Sequence, residues 1–200
     1  MSTTLIIVGI IAVVLAFIWA TYNSLVKLRE MVRGAWADID VQLKKRYDLL
    51  PDLVETARKA TAVDEDILTK VTELRSKAME EATKNASPQE RAKVEGQISS
   101  MMRDIKVQVE AYPDIKSHAE LNNLMEKVTD IEEKIAYARR YYNGVVKEYN
   151  TKLKVFPNVL FASLLGFKEE DFFAASEEER EDVKVDLSKK DKEKDKGEKE

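Results

Sequence analysis

Few side chains in this sequence have the type and spacing to do chemistry. The sole histidine, His118, has the chemistry to hold a metal or move a proton near neutral pH, yet no cysteine or second histidine accompanies it. Its place at an expected helix start suits a surface or capping role. Asp38 and Asp40 lie among apolar residues, with Arg46, Arg139 and Arg140 as cations elsewhere in the chain. Paired with arginine at the edge of an apolar stripe, Asp38, Asp40 and Arg46 would fix helix register; unpaired, the two acids would form an ion or headgroup site. The sequence has no repeated Glu-x-x-His motif for a carboxylate di-metal centre and no glycine-rich phosphate loop. No clustered nucleophile, base or metal set emerges, so neither catalysis nor a cofactor is expected.

Tyrosine–asparagine pairs are the other recurrent polar feature, at Tyr22-Asn23, Tyr142-Asn143 and Tyr149-Asn150. A phenol ring beside an amide suits hydrogen bonding at the base of a helical bundle. Tyr22, Asn23, Tyr149 and Asn150 are expected to form a structural latch, provided that the first and last long helices run antiparallel.

The elements that must position these residues are helices. Thr3 to Tyr22 is 20 residues without a charged side chain, close to the length that crosses about 30 Å of hydrocarbon. Trp19 and Tyr22 sit at its exit, where aromatic rings favour the membrane interface. A cleaved signal peptide is the rival reading. Against it, MSTT has no basic flank, and the helical pattern runs on through Tyr22. Lys27, Arg29 and Arg33 follow the span, which predicts a short N-terminus outside and the bulk of the chain in the cytoplasm.

Beyond the span, Leu25, Leu28, Val32, Trp36, Ile39, Leu43, Tyr47 and Leu50 recur at steps of three and four, one buried helical stripe. Pro51 predicts a kink near Leu49, with continuation towards Ala60. A second helix is expected from Asp64 to about Asn85. Ser87, Pro88 and Glu90 form a capping-box start for a third, ending near Ala111. Ser117 and Glu120 repeat that spacing and open a fourth, to about Leu153. Short connections make successive helices antiparallel neighbours, so the fourth returns to the membrane.

What returns there is VFPNVLFASLLGFKEEDFF. Pro157 and Gly166 delimit a short amphipathic helix. Its apolar side chains, with those beyond it, either cap the bundle base or touch membrane lipid or a neighbouring subunit; Phe156, Phe161, Leu164, Leu165, Phe167, Phe172 and Phe173 are the expected contacts. From Ser176 to Glu200 charged residues dominate and aromatics are missing, the composition of a disordered tail. The chain is therefore expected to be all-α. A transmembrane anchor (1–22) is continuous with an elongated antiparallel four-helix bundle (23–155), followed by an aromatic amphipathic segment (156–175) and a charged tail (176–200).

Composition narrows the partners. A net charge of -4 with acids and bases interspersed argues against nucleic acid. Zero cysteines exclude disulfides and thiolate metal sites.

The stretches YNSLVKLREMVRGAWADIDVQLKKRYDLLPDLVETA, AYPDIK, EEKIAYARRYYNGVVKEYN and FPNVLFASLLGF, with EDFF after them, resemble the LemA family of bacterial membrane proteins. The resemblance covers roughly Leu5 to Phe173, and its WADIDVQL-x-x-RYDL-x-P core is specific. It implies a membrane helix followed by an elongated bundle, N-terminus out and domain in, in the bacterial cell membrane. It supplies no catalytic residues. The expected function is a membrane-anchored, self-associating structural or scaffolding protein in contact with membrane lipids. The alternative is an adaptor that presents its bundle or tail to another membrane protein, such as a protease or transporter.

Overall fold

The computed structural model describes residues 2–60, 63–84, 86–111 and 119–174. His118, the Ser117 half of the second capping box and the tail from 176 onward lie outside the described residues. Among the described residues the helices are, in order, α1 (Ser2–Lys59), α2 (Glu65–Thr83), α3 (Pro88–Ala111), α4 (Ala119–Lys154) and the single turn α5 (Val159–Ala162). No strand occurs among the described residues.

α1 is one helix of 58 residues, and its environment changes along its length. From Leu5 to Leu15 its apolar side chains are exposed. From Leu25 they enter the core as Leu25, Leu28, Val32, Ala35, Ile39, Leu43, Leu50, Leu53 and Ala57. The stripe differs from the expected one at one step. Ala35 takes the fully buried position, and Trp36 lies half-buried beside it. The helix also runs through Pro51 without a break. Proline has no N–H, so the carbonyl four residues earlier, that of Tyr47, loses its intrahelical donor. Arg75 of α2 replaces it, donating from Nε to the Tyr47 carbonyl at 2.7 Å. That bond also ties α2 to α1.

α3 starts as its sequence dictates. Pro88 is the first helical residue, the Ser87 backbone N–H donates to Glu90 at 2.9 Å, and the Glu90 N–H donates to Ser87 Oγ at 3.3 Å. The contacts give the topology. Arg75 meets Tyr47, Asp40 meets Arg91, and the Asp64 N–H meets Gln108, so α2 descends beside α1 and α3 climbs again. α4 descends the full length, with Tyr142 against Trp36 (ring centroids 5.3 Å apart). At 1.5 Å per residue, α2 and α3 are only about 30 to 35 Å long, so they cover the distal part of the α1–α4 pair. The C-terminal segment 156–174 covers the rest.

That segment contains less helix than expected. α5 is one turn, and the chain then closes a C-terminal capping motif at Gly166, whose φ of 79° is left-handed. The Gly166 N–H donates to the Ser163 carbonyl at 3.1 Å and the Phe167 N–H to the Ala162 carbonyl at 3.0 Å, the bond pair of a Schellman turn. The turn redirects the chain away from the membrane-proximal end, as a strap of residues 167–174.

Candidate functional site

Two constellations concentrate the polar chemistry of the described residues. The first lies inside the distal bundle. The Arg46 side chain is fully buried and its guanidinium forks between two helices. Nη2 pairs with Glu95 of α3, while Nη1 donates to Glu132 of α4 at 2.6 Å and to Ser99 Oγ at 2.9 Å. Ser99 in turn donates to Glu132 at 2.7 Å, and the Tyr47 hydroxyl donates to the other Glu95 oxygen. One cation thus joins three helices. Burial opposes the charge on Arg46, but the carboxylates of Glu95 and Glu132 outweigh it and raise its pKa. Burial also pushes the Glu95 carboxyl above the usual range, despite Arg46 beside it. The Tyr47 phenol is pushed up by burial and then by the Glu95 charge.

Of the expected register charges, Asp40 is paired with an arginine, Arg46 takes glutamates and Asp38 is exposed. Arg46 bonds Glu95 and Glu132 rather than an aspartate, because it points into the core between α3 and α4. Asp40 pairs instead with Arg91 of α3 at 2.7 Å. Asp38 is exposed, on the far side of the helix from that pair. Arg91 also stacks over Trp36, its guanidinium carbon 4.9 Å from the ring centroid.

The second constellation holds the strap at the membrane-proximal end. Asn150 reads the Glu170 backbone twice: Nδ2 donates to its carbonyl at 2.9 Å, and Oδ1 accepts from its N–H at 3.0 Å. Asn143 repeats this with Phe173, at 3.1 and 2.8 Å. The Tyr142 hydroxyl donates to the Asp171 carbonyl at 2.8 Å. These asparagines do for an extended segment what a neighbouring strand would do. Below them, Tyr22 packs edge-on to Phe167 (5.7 Å), Arg29 lies over the same ring, and Phe17 meets Phe161 (6.3 Å). Thr21 Oγ1 donates to Asn158 Oδ1 at 3.4 Å.

The geometry redistributes the remaining expected contacts. Tyr22 and Asn150 meet the same strap rather than each other; Tyr149 is wholly buried and Asn23 is exposed. Of the residues expected to touch lipid or a neighbouring subunit, Phe167 and Phe173 are instead core residues of the chain's own bundle, and Leu165 and Phe172 pack against that core. The Schellman turn causes this, since it swings everything after Gly166 onto α1 and α4. Phe161 is half-buried against Phe17, whereas Phe156 and Leu164 are 78% and 85% exposed. Trp19 is exposed on the apolar part of α1.

Comparison with known proteins matches this sequence to a family. The LemA family model aligns with residues 35–187. The chain belongs to the LemA family. Protein LemA of Metamycoplasma hominis is 27% identical over 161 residues, spanning 80% of this chain and 72% of that protein. Magnetosome protein MamQ 2 of Paramagnetospirillum magneticum is 23% identical over 193 residues, spanning 84% and 71%. Magnetosome protein MamQ of Magnetospirillum gryphiswaldense is 22% identical over 174 residues, spanning 76% and 64%. With one helix near its N-terminus long and apolar enough to cross a bilayer, this LemA-family chain is a membrane-associated protein.

Sequence reading named Arg46 and Asn150 but not the partners they find, Glu95, Ser99 and Glu132 for the one and the Glu170 backbone for the other. A signal was present for the first. Arg46 falls between Leu43 and Leu50 at steps of three and four, and Glu95 and Arg91 extend the stripe of Ile98 and Ile105 backwards at the same steps. Nothing in the spacing of Asn143 and Asn150 announces an extended partner, although their separation of seven positions places both amides on one helix face.

Proposed function

We propose that this LemA-family protein is a membrane-anchored structural element that self-associates in the bilayer plane and holds a stiff bundle at a fixed attitude to the membrane. The carrying observation is continuity: α1 passes from its exposed apolar span into the core as a single helix, and the strap clamps it just past the exit. An anchor of this kind transmits orientation, which a tether through a flexible linker does not. Support for self-association comes from the span. From Thr3 to Ala20 no residue of it is buried in the chain's own fold, and Gly9, Ala12, Ala16 and Ala20 share one face at the spacing that lets membrane helices approach closely. The charge after the span favours N-terminus out and bundle in the cytoplasm.

The molar mass of the full chain in mild detergent tests this, beside a shortened chain of residues 23–174. A uniform multimer that needs the span is expected. Monomers in both samples would refute self-association and leave a single chain that presents its bundle to another membrane protein.

A further inference from the structure

The strap accounts for the apolar residues after Gly166, but not for those before it. Phe156 and Leu164, with Val159 and Leu160 (48% and 62% exposed), form an uncovered apolar collar on one side of α1. Residues 155–167 contain no charged side chain, and Lys152, Lys154 and Lys168 flank them. We propose that this collar sits in the phospholipid surface beside the exit of α1, a second lipid contact separate from the anchor.

The argument is one of depth. Phe161, next to the collar, packs on Phe17, and Asn158 bonds Thr21. Phe17 lies five residues short of Tyr22, about 7 Å along the helix. The uncharged span of 20 residues is just long enough for a hydrocarbon core of about 30 Å. Lifting Phe161 and its neighbours into water would therefore leave about 15 residues, some 22 Å, to cross the bilayer. With the span in place, the collar lies at the boundary between headgroups and acyl chains.

Local chemistry fits that level. Asn158, 8% exposed, uses Oδ1 on Thr21 and donates from Nδ2 to the Lys152 carbonyl at 3.0 Å, so its side-chain polar atoms are satisfied inside the protein. Lys154 pairs with Glu169 at 2.7 Å, and the charges of Lys152 and Lys168 suit an anionic leaflet. A second copy is the poorer occupant. Four side chains offer a few hundred Å² of apolar surface, short of the roughly 800 Å² per partner of a stable interface.

The sequence lacks cysteine, so single-cysteine spin labels report one site each. The full chain is reconstituted in vesicles of equal parts phosphatidylcholine and phosphatidylglycerol, with labels at Leu160→Cys, Leu164→Cys, Val13→Cys in the span and Val107→Cys on distal α3. Collision with oxygen, relative to a water-soluble nickel chelate, is expected to be several-fold higher at Leu160, Leu164 and Val13 than at Val107. The inference rests on the anchoring half of the proposed function, and Val13 reports that half separately. A lipid-exposed Val13 with Leu160 and Leu164 as wet as Val107 would overturn the collar alone; a wet Val13 would overturn the anchoring as well. Collar labels shielded from both reagents and broadened by a second label nearby would also overturn it, by assigning the surface to another copy.

Discussion

Replacing Arg46 with methionine removes the cation that bridges Glu95 and Glu132. Glu95 is 4% exposed and, among the described residues, would keep the Tyr47 hydroxyl as its direct donor and the more distant Arg91 charge. Breaking a buried pair from one side costs about 3 to 5 kcal/mol, mostly the penalty for the charge left behind. For a domain of this size, each kcal/mol lowers the melting temperature by about 2 to 4 °C, so a fall of roughly 6 to 20 °C is expected. The assay is thermal unfolding of the full chain in detergent, followed by helical circular dichroism. The pH dependence carries the sharper test. Burial already raises the Glu95 pKa above its unfolded value, and removing Arg46 raises it further. A carboxyl with a raised folded pKa makes its full contribution below the unfolded value, near pH 4.3, and loses it as pH rises through the folded pKa. The deficit of Arg46→Met against wild type should therefore be largest at pH 7 and shrink as pH falls towards 4.3. A loss below about 1 kcal/mol at pH 7, or one that grows on acidification, would refute this account of the cluster.

Arg75→Met should cost about 1 to 3 kcal/mol, because it orphans the Tyr47 carbonyl; adding Pro51→Ala restores an N–H there and should recover most of the loss, which a double-mutant cycle by urea unfolding would measure. Trp36→Ala should cost about 2 to 3 kcal/mol, below the 3 to 5 of a fully buried ring, since Trp36 packs on Tyr142, Phe173 and Arg91 while keeping one edge in solvent. Asn150→Ala loses both bonds to Glu170, and hydrogen exchange should quicken in the strap while the distal bundle stays protected. The Tyr142 phenol is pushed up, first by burial and then by Glu170 and Asp171; its stabilisation is present below about pH 10 and lost as pH rises beyond it, so Tyr142→Phe should flatten the alkaline limb of the stability curve.

The elements that sequence defines well are those set by local rules. Ser87, Pro88 and Glu90 mark the start of α3 because the bonds they make lie within one turn. The stripe from Leu25 to Leu50 follows from periodicity, though not its phase at Ala35 and Trp36, which depends on Arg91 and Tyr142 arriving from other helices. Long-range partners are hidden for the same reason. Arg75 replaces the donor that Pro51 lacks from 24 positions away in sequence, and the Asn143 and Asn150 amides find backbone 30 and 20 positions away. Candidate site residues fared accordingly. Asp40 pairs with an arginine, as expected, but with one that arrives from α3, and of the aromatic segment Phe167 and Phe173 are buried while Phe156 and Leu164 are exposed.

An unbroken α1 also acts as a lever. From Asn23 to Lys59 its arm is about 55 Å long, so a bilayer tilt of about 20° carries the distal tip roughly 19 Å sideways. Tilt is how a helix of fixed length meets a membrane of altered thickness. The collar lies on one side of the helix only, and with it seated in lipid the leaning has a preferred direction. A difference of a few ångströms in lipid thickness would then reach the far end of the bundle as a lateral displacement of known sense, large enough to bring neighbouring tips together or draw them apart.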